Sequence, residues 1–220
     1  MAVERLASAH TPRGELVLRR RDEVLELISN GTFLMDTSGG ASESAMAELA
    51  LADIPRGARV LVAGMGFGFT LAATLSFMPA EVVVVELEPD VIAWNRAWWP
   101  LGRDALEDPR VRVIVGDFAE YLRTADHVFD VVLVDIDNGP DWTVAAPNDD
   151  VYIGGLTDLR RLVRAPNGRL CVWSAHTSLD FEARLAGHFA DVTVIGVPAP
   201  RGEPDILYLA TGPSYSSDGR

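Results

Sequence analysis

The sequence predicts an α/β fold in which a seven-stranded, mostly parallel sheet is flanked by helices and preceded by a small antiparallel β-ribbon. Apolar runs and helical segments alternate from Arg59 onward, which is typical of parallel strands joined by crossover helices. Asn30-Gly31 separates two apolar runs near the N-terminus and is a strong hairpin signal. A short Pro/Gly-rich segment joins the last two strands, so the last strand should run antiparallel to the others.

The N-terminal region is predicted in two parts. Residues 1–13 are expected to be a flexible tail, and residues 14–40 a β-ribbon. The ribbon strands are predicted at Glu15–Arg20, Glu23–Ser29 and Thr32–Met35. A helix predicted from Ser42 to Ala52, with Met46, Leu49 and Ala50 at helical spacing, opens the main domain.

The main domain is predicted to span residues 41–211, and residues 212–220 are expected to be disordered. Its strands are predicted at Val60–Ala63, Val82–Glu86, Val111–Val115, Val131–Asp135, Leu170–Ser174, Val192–Val197 and Ile206–Ala210. Its helices are predicted at Phe69–Met78, Asp90–Trp98, Phe118–Arg123, Leu156–Val163 and Leu179–Phe189. The runs at 82–85 and 131–134 are apolar without alternation, which indicates strands buried on both faces of the sheet.

Composition excludes several classes of partner. The 220 residues include 32 acidic and 19 basic side chains, giving a net charge of -13. This charge argues against binding to nucleic acid or to an anionic membrane surface. The single cysteine, Cys171, cannot form an internal disulfide or a thiolate metal site, and no metal is expected. Residues 1–21 lack the apolar core of a signal peptide, so a cytoplasmic protein is expected.

A glycine-rich turn directly follows the first parallel strand. Gly64, Gly66 and Gly68 allow a tight turn and close approach of a ligand to the backbone. Close packing of strand and helix is the alternative explanation for the glycines, and it is disfavoured because Glu86 closes the next strand about 20 residues later. A carboxylate at that position can accept hydrogen bonds from a ribose diol. The combination predicts a nucleoside-containing cofactor.

Two details favour S-adenosylmethionine (AdoMet) over a dinucleotide. Phe69 stands where a dinucleotide fingerprint has its last glycine. Asp117 follows the third strand, where its carboxylate can accept from an adenine amino group. The antiparallel last strand is also the arrangement of the Rossmann-like class I AdoMet-dependent transferases. Leu87 and Phe118, which follow the two carboxylates, are placed in the same cofactor site.

Asp135 closes the fourth strand and is followed by a polar loop. Ligands of open α/β sheets bind at the carboxyl ends of the strands, so this loop should overhang the site. A carboxylate beside a sulfonium can orient or deprotonate an amine, so Asp135 is predicted to be catalytic as well as cofactor-binding. For the later carboxylates an Asx-rich turn is the alternative, and His176 is either an acid–base group or a loop histidine. The predicted substrate-binding residues are Asp137, Asn138, Asp141, Trp142 and Tyr152.

These motifs together resemble the spermidine synthase family over residues 14–211. The resemblance rests on the ribbon, on residues 62–68, 84–90, 108–111 and 116–117, and on the run from Phe129 to Asp135. It implies a two-part, usually oligomeric protein that transfers an aminopropyl group from decarboxylated AdoMet to a diamine. It also implies that Glu86 holds the ribose, Asp117 the adenine amino group, and that Asp135 assists amine deprotonation.

The sequence departs from that family where the tail of the donor and the acceptor would bind. Phe67 replaces an aspartate that binds the aminopropyl ammonium, and Asn138 replaces a second aspartate of the loop after the fourth strand. Glu43-Ser44 stands where the family has a Tyr-Gln pair. Phe67 would also remove repulsion against the carboxylate of intact AdoMet. These departures predict a divergent member rather than an ordinary spermidine synthase.

Three functions remain open on the sequence. The leading hypothesis is transfer of an alkyl group, most simply methyl, from AdoMet to a small acceptor, and the acidic net charge favours a cationic one. The alternative is an aminopropyltransferase using decarboxylated AdoMet, with Asp137, Asp141 or Asp149 as replacement counter-ions. The third is a non-catalytic nucleoside-binding scaffold. Paired ribbon edges also predict a homo-oligomer, most simply a dimer.

Overall fold

The computed structural model of the chain describes residues 3–136, 139–140, 149–199 and 202–214. Their N-terminal part forms a four-stranded antiparallel sheet with the strand order β1-β2-β3-β4. Its strands are β1 (Val3–Thr11), β2 (Gly14–Arg21), β3 (Val24–Ser29) and β4 (Thr32–Asp36). Asn30 and Gly31 both have positive φ, at 49° and 79°, in the turn between β3 and β4, as the Asn-Gly signal predicts.

The expectation of a flexible tail over residues 1–13 is wrong, because β1 pairs with β2 from Val3 to Thr11. β1 is a half-exposed edge strand whose large apolar residues are Val3 and Leu6, without a regular alternation, so hydrophobic patterning gives little signal for it. Pairing with β2 supplies its backbone hydrogen bonds, with a bulge between Arg5 and Ala7. Association of the protein through this edge stays a prediction.

The second sheet has seven strands in the order β10-β11-β9-β8-β5-β6-β7. They are β5 (Arg59–Ala63), β6 (Glu81–Glu86), β7 (Val111–Val115), β8 (Val131–Val134), β9 (Arg169–Ser174), β10 (Phe189–Val197) and β11 (Asp205–Pro213). The ladders β5–β6, β5–β8, β6–β7 and β8–β9 are parallel. β11 runs antiparallel to both β9 and β10, which confirms the predicted last strand. β11 continues to Pro213, beyond the predicted end of the domain at residue 211.

Helices cover the second sheet. They are α1 (Ala41–Leu51), α2 (Phe69–Ser76), α3 (Pro89–Trp98), α4 (Pro100–Glu107), α5 (Phe118–Thr124), α6 (Asp149–Tyr152), α7 (Leu156–Leu162) and α8 (Leu179–Ala186). α4 is absent from the sequence prediction, since Pro100 looks like a breaker but here occupies the first helical turn, where its missing N–H is harmless. α2 ends before Met78, which takes a φ of 57° ahead of Pro79. Within the described residues, no helix is long and apolar enough to cross a membrane.

The apolar core has two layers, one on each face of the seven-stranded sheet. One layer contains Val60 and Val62 together with Leu18 and Leu27 of the N-terminal sheet. The other lies under α5, α7 and α8, and its residues include Phe181. Because the N-terminal sheet contributes to the first layer, it is packed onto the main domain. This packing holds it beside the carboxyl ends of the parallel strands.

Candidate active site

A cavity of about 760 Å³ lies between the N-terminal sheet and the carboxyl ends of the parallel strands. The parallel strands contribute their terminal or following residues, including Gly64, Glu86, Gly116 and Asp135. The N-terminal sheet contributes residues of β2, β3 and β4 and Thr11 at the end of β1. The volume falls in the range of small-molecule sites, and the position is the one at which open α/β sheets bind ligands.

The glycine turn after β5 needs its glycines. Gly64, Gly66 and Gly68 have φ values of 91°, 47° and 78°. A Cβ on Gly64 would lie 2.0 Å from the carbonyl oxygen of Asp135, so any side chain there would collide with the backbone after β8. Gly64 and Gly66 line the cavity as predicted. Gly68 lies outside the described lining, at the start of α2, and packs against Met65.

Glu86 ends β6 with its side chain buried beneath the glycine turn. Its Oε2 accepts from the N–H of Met65 at 2.8 Å, and its Oε1 accepts from the N–H of Glu88 at 2.8 Å. Burial raises the pKa of this carboxyl. Each oxygen keeps acceptor capacity after these bonds. Glu86 and Leu87 both line the cavity, so the site offers an acceptor suited to a diol beside an apolar wall.

Asp117 follows β7 and caps α5. Its Oδ1 accepts from the N–H of Ala119 at 2.7 Å and from that of Glu120 at 3.4 Å. Its Oδ2 accepts from the guanidinium of Arg13, on the turn between β1 and β2, at 3.2 Å. Asp117 and Phe118 both line the cavity, as the sequence predicts. The contact with Arg13 could not be foreseen, because it joins a turn of the N-terminal sheet to the N-terminus of a helix of the main domain.

Asp135 follows β8 directly and faces the same cavity. Its Oδ2 accepts from the hydroxyl of Thr70, on α2, at 2.6 Å. Burial raises the pKa of Asp135 to about 7, assisted by the negative charges of Glu43 and Asp205. A carboxyl with this pKa exchanges a proton near neutral pH, as a general base must.

Glu43 and Asp205 are site residues that the sequence did not assign. The hydroxyl of Ser42 lies 2.9 Å from Glu43 Oε2 and 2.7 Å from Asp205 Oδ2, and it accepts from Trp173 Nε1 at 3.2 Å. A serine carries one hydroxyl hydrogen, so it can satisfy only one of the two carboxylates at a time. Burial, together with the charge of Asp205, raises the pKa of Glu43. The cavity therefore holds a concentration of negative charge at this end.

Tyr152 does not lie where the sequence predicted. It is 1% exposed, packs edge to face against Phe181 with ring centroids 5.7 Å apart, and is absent from the described cavity lining. Its hydroxyl donates to the carbonyl oxygen of Ile136 at 3.1 Å. Tyr152 thus braces the chain after β8 from the core side instead of contacting a substrate.

Phe67 also differs from expectation. Its side chain is 4% exposed and packs edge to face against Trp99, with ring centroids 6.3 Å apart. It belongs to the first core layer and is not among the described residues that line the cavity. The idea that Phe67 faces the tail of the donor is therefore wrong for this structure. Phe67 is instead part of the apolar core beside Trp99.

Four predicted substrate residues, Asp137, Asn138, Asp141 and Trp142, lie outside the described residues. The backbone of Asp149 belongs to α6, but its side chain is not described. Their predicted roles stay predictions. His176 is exposed, with Nδ1 3.8 Å from Glu203 Oε2, and it does not line the cavity. This position agrees with a loop histidine.

Residues 40–160 match the family described as the spermine/spermidine synthase domain. The match covers more than half of the 220-residue chain, and the protein belongs to this family. This match confirms the resemblance to the spermidine synthase family that the sequence motifs indicated.

Two curated relatives illustrate the range of the family. The chain is 42% identical over 82 residues to a polyamine aminopropyltransferase of Thermococcus onnurineus (strain NA1), covering 37% of this chain and 29% of that protein. It is 31% identical over 112 residues to putrescine N-methyltransferase 2 of Nicotiana tabacum, covering 50% of this chain and 32% of that protein. The matched stretch thus spans about a third or less of either relative.

Solved structures share the fold over almost the whole chain. Spermidine synthase from Thermotoga maritima aligns with a TM-score of 0.77 at 16% identity, covering 96% of this chain and 74% of that chain. A spermidine synthase in complex with the transition state analogue AdoDATO aligns with a TM-score of 0.79 at 17% identity, covering 96% of this chain and 75% of that chain. These two alignments and the strand order of this chain support the same α/β architecture.

Proposed function

We propose that this protein transfers an alkyl group from an AdoMet-type sulfonium donor to an amine of a small cationic acceptor. One observation carries the proposal. Asp135, with a pKa raised to about 7, faces the cavity that also contains Glu86, and the charges of Glu43 and Asp205 act on it. The same cavity therefore contains a proton acceptor (Asp135), a carboxylate that can bind ribose hydroxyls (Glu86) and negative charge that can attract a cation.

The donor half of the cavity suits an adenosine group. Gly64 and Gly66 line this half, and the backbone at Gly64 packs so closely on the chain after β8 that a Cβ would lie 2.0 Å from the carbonyl oxygen of Asp135. Glu86 would accept from the ribose hydroxyls through its remaining lone pairs, and Asp117 would accept from the adenine amino group. Leu87 and Phe118 would supply apolar walls. When bound, the donor supplies a carbon activated by a sulfonium.

The acceptor half of the cavity suits a cation. Glu43, Asp205 and Asp135 place negative charge together where solvent screening is reduced. The guanidinium groups in the described lining belong to Arg13 and Arg21, and both are engaged by carboxylates. An ammonium group entering this end would supply the hydrogen-bond donors that the single Ser42 hydroxyl cannot provide to both neighbouring carboxylates.

The chain contributes proton transfer and positioning to the reaction. An alkylammonium holds its proton up to a pH of about 10, so it must lose that proton before its nitrogen can act as a nucleophile. Asp135 would accept the proton, while Thr70 holds one carboxylate oxygen through its hydroxyl. Glu43 and Asp205 would fix a second ammonium of the acceptor and so orient its reacting end. Orientation of this kind accounts for much of the rate gain in bimolecular transfers.

Aminopropyl transfer from decarboxylated AdoMet is the better-supported reaction. The sequence hypothesis of methyl transfer depended largely on Phe67, but that side chain packs into the core beside Trp99. The similarity to a polyamine aminopropyltransferase is also the stronger one, at 42% identity. Methyl transfer remains the second candidate because of the 31% identity to putrescine N-methyltransferase 2 over 112 residues. In both cases the acceptor would be a diamine.

The direct test incubates the purified protein with putrescine and with each donor separately. Aminopropyl transfer predicts spermidine and 5′-methylthioadenosine as products, whereas methyl transfer predicts N-methylputrescine and S-adenosylhomocysteine. Mass spectrometry distinguishes the two pairs. Asp135→Asn is the matched control, because it keeps the size of the side chain but removes the base. Products that form equally with this variant would contradict the role of Asp135.

Calorimetric binding of AdoMet and decarboxylated AdoMet, measured side by side, separates the remaining alternatives. Preference for the decarboxylated donor supports aminopropyl transfer, and preference for AdoMet supports methyl transfer. Binding of either donor without turnover of any diamine would favour the non-catalytic scaffold. Failure to bind both donors and 5′-methylthioadenosine would refute the nucleoside site itself.

A further inference from the structure

A guanidinium from the N-terminal sheet reaches the adenine end of the cavity. Arg13 lies on the turn between β1 and β2, and its Nη2 donates to Asp117 Oδ2 at 3.2 Å. Arg13, Gly14 and Asp117 all line the cavity. The two partners are 104 residues apart in the chain, so the contact depends on how the N-terminal sheet packs on the main domain.

The backbone of Arg13 is held from the neighbouring turn. Asn30 Nδ2 donates to the carbonyl oxygen of Arg13 at 2.9 Å, and Asn30 Oδ1 accepts from the N–H of Glu15 at 2.9 Å. Gly14 has a φ of 121°, and a Cβ there would lie 1.9 Å from Asn30 Oδ1. Thr11 Oγ1 accepts from the N–H of Arg13 at 3.1 Å. The turn is therefore braced, which reduces the entropy lost when Arg13 orders against a ligand.

Asp117 has capacity for one more donor. A carboxylate offers about four lone-pair positions, two on each oxygen. Oδ1 accepts two N–H groups of α5, from Ala119 and Glu120, and Oδ2 accepts one guanidinium N–H from Arg13. The second position on Oδ2 remains for an amino hydrogen. Binding of adenine at Asp117 and pairing with Arg13 are therefore compatible.

We propose that Arg13 is a donor-binding residue that acts with Asp117 to recognise the adenine base. Asp117 accepts from the exocyclic amino group, and Arg13 fixes the carboxylate and closes the purine end of the cavity from the N-terminal sheet. This inference rests on the proposed function in requiring an adenosine group in the cavity. It is independent of which alkyl group is transferred.

Electrostatics supports a binding role for this pair. The protein carries a net charge of -13, and many carboxylates line the cavity. An unpaired carboxylate at Asp117 would therefore be repelled by the other carboxylates. The guanidinium neutralises Asp117 at the position where the neutral base docks. Because the side chains of Arg13 and Asp117 are 39% and 44% exposed, salt should weaken the pair.

The test measures calorimetric affinity for 5′-methylthioadenosine, a nucleoside that lacks the charged tail of either donor. Arg13→Gln should bind it roughly three- to ten-fold more weakly than the wild type. Arg13→Lys should recover part of the loss. Arg5→Gln is the matched control, since Arg5 pairs with Glu15 on the same sheet but does not line the cavity, and its affinity should be unchanged.

Three further readouts separate recognition of the base from a structural role of Arg13. The wild type should prefer 5′-methylthioadenosine over 5′-methylthioinosine, which has oxygen in place of the amino group, and Arg13→Gln should reduce that preference. Raising salt should weaken nucleoside binding to the wild type more than to Arg13→Gln. In an Asp117→Asn background, the effect of Arg13→Gln should shrink, because the two side chains act together.

The possible outcomes distinguish this inference from the proposed function. A wild type that binds 5′-methylthioadenosine while Arg13→Gln binds it equally well overturns the role of Arg13 alone. Tighter binding by Arg13→Gln also overturns it, since the ion pair would then compete with the base. A wild type that binds no nucleoside overturns both the inference and the proposed function. Weaker binding by Arg13→Gln with reduced base preference supports the inference.

Discussion

The hydroxyl of Thr70 donates to Asp135 Oδ2 over 2.6 Å, joining the first turn of α2 to the end of β8. The bond stabilises the charged form of a carboxyl whose pKa burial and neighbouring carboxylates raise to about 7. Thr70 directly follows the glycine turn and Phe69 in the chain. The proposed base and the proposed donor-binding turn are thus linked by one hydrogen bond. A substitution in the glycine turn that displaces Thr70 should therefore alter the pKa of Asp135.

Replacing Asp135 tests catalysis directly. Asp135→Asn should lower turnover about 10²- to 10⁴-fold, because the amide cannot accept the ammonium proton. Affinity for 5′-methylthioadenosine, measured by calorimetry, should change little, since Glu86 and Asp117 would hold the nucleoside. Equal loss of turnover and nucleoside affinity would show that Asp135 acts on the fold or on donor binding instead.

The activity should depend on pH through Asp135. The value of kcat/KM for the acceptor should rise as pH increases through about 7, because only the carboxylate form of Asp135 can accept a proton. Thr70→Val removes a hydrogen bond that lowers this pKa and should move the rise to higher pH. A pH–rate profile that is flat between pH 6 and 8 in the wild type would contradict the assignment.

The same pKa predicts a change in stability. The pKa of Asp135 is about 7 in the folded protein and roughly 4 in an unfolded chain. Between these values the folded state binds the extra proton, so the stability contributed by Asp135 falls as pH rises from about 4 to about 7. Asp135→Asn should therefore increase the free energy of unfolding at pH 8 relative to wild type, by roughly 1–3 kcal/mol, and less at pH 5. Urea unfolding at both pH values measures the difference.

Glu43 should control affinity for the acceptor. Glu43→Gln removes one negative charge from the acceptor end and should raise KM for putrescine roughly tenfold. It should also lower the pKa of Asp135, since the charge of Glu43 raises it, and so shift the pH profile towards acid. Glu48→Gln is the matched control on α1, because Glu48 is exposed and outside the cavity lining. A similar rise in KM for both variants would point to net charge alone.

Phe67 should matter for stability and not for the choice of donor. Phe67→Asp would bury a charge beside Trp99 and should destabilise the fold by about 3 kcal/mol or more. Phe67→Leu keeps the site apolar and should cost less. Denaturant unfolding measures both variants. A stable Phe67→Asp protein that gains preference for decarboxylated AdoMet would restore the role that the sequence suggested.

Asn95 should position the glycine turn. This buried residue of α3 donates through Nδ2 to the carbonyl oxygens of Gly66 and Val91, at 2.8 and 2.9 Å. Asn95→Asp removes those donors and should weaken 5′-methylthioadenosine binding by roughly tenfold while costing about 1–3 kcal/mol of stability. Calorimetry and thermal unfolding provide the two readouts. Loss of stability with unchanged nucleoside affinity would limit Asn95 to the core.

The features that were predicted correctly are those that neighbouring residues determine. The turn at Gly64 and Gly66 requires positive φ, and Glu86 and Asp135 follow from strands recognisable as apolar runs. β1 was not predicted, because it depends on pairing with β2 and has no regular apolar pattern of its own. The orientation of Tyr152 was predicted wrongly, because a position near the site in sequence does not decide whether a side chain faces the cavity or the core.

Neighbouring residues suffice to predict the alternation of strands and helices, the glycine turn and the carboxylates at the strand ends, because backbone geometry and hydrophobic period are local properties. Which distant groups meet depends on tertiary packing. Ser42 and Asp205 are 163 residues apart, and Arg13 and Asp117 are 104 apart, yet each pair forms a hydrogen bond. Such contacts depend on how the N-terminal sheet, α1 and β11 pack together, and packing is set by the whole core.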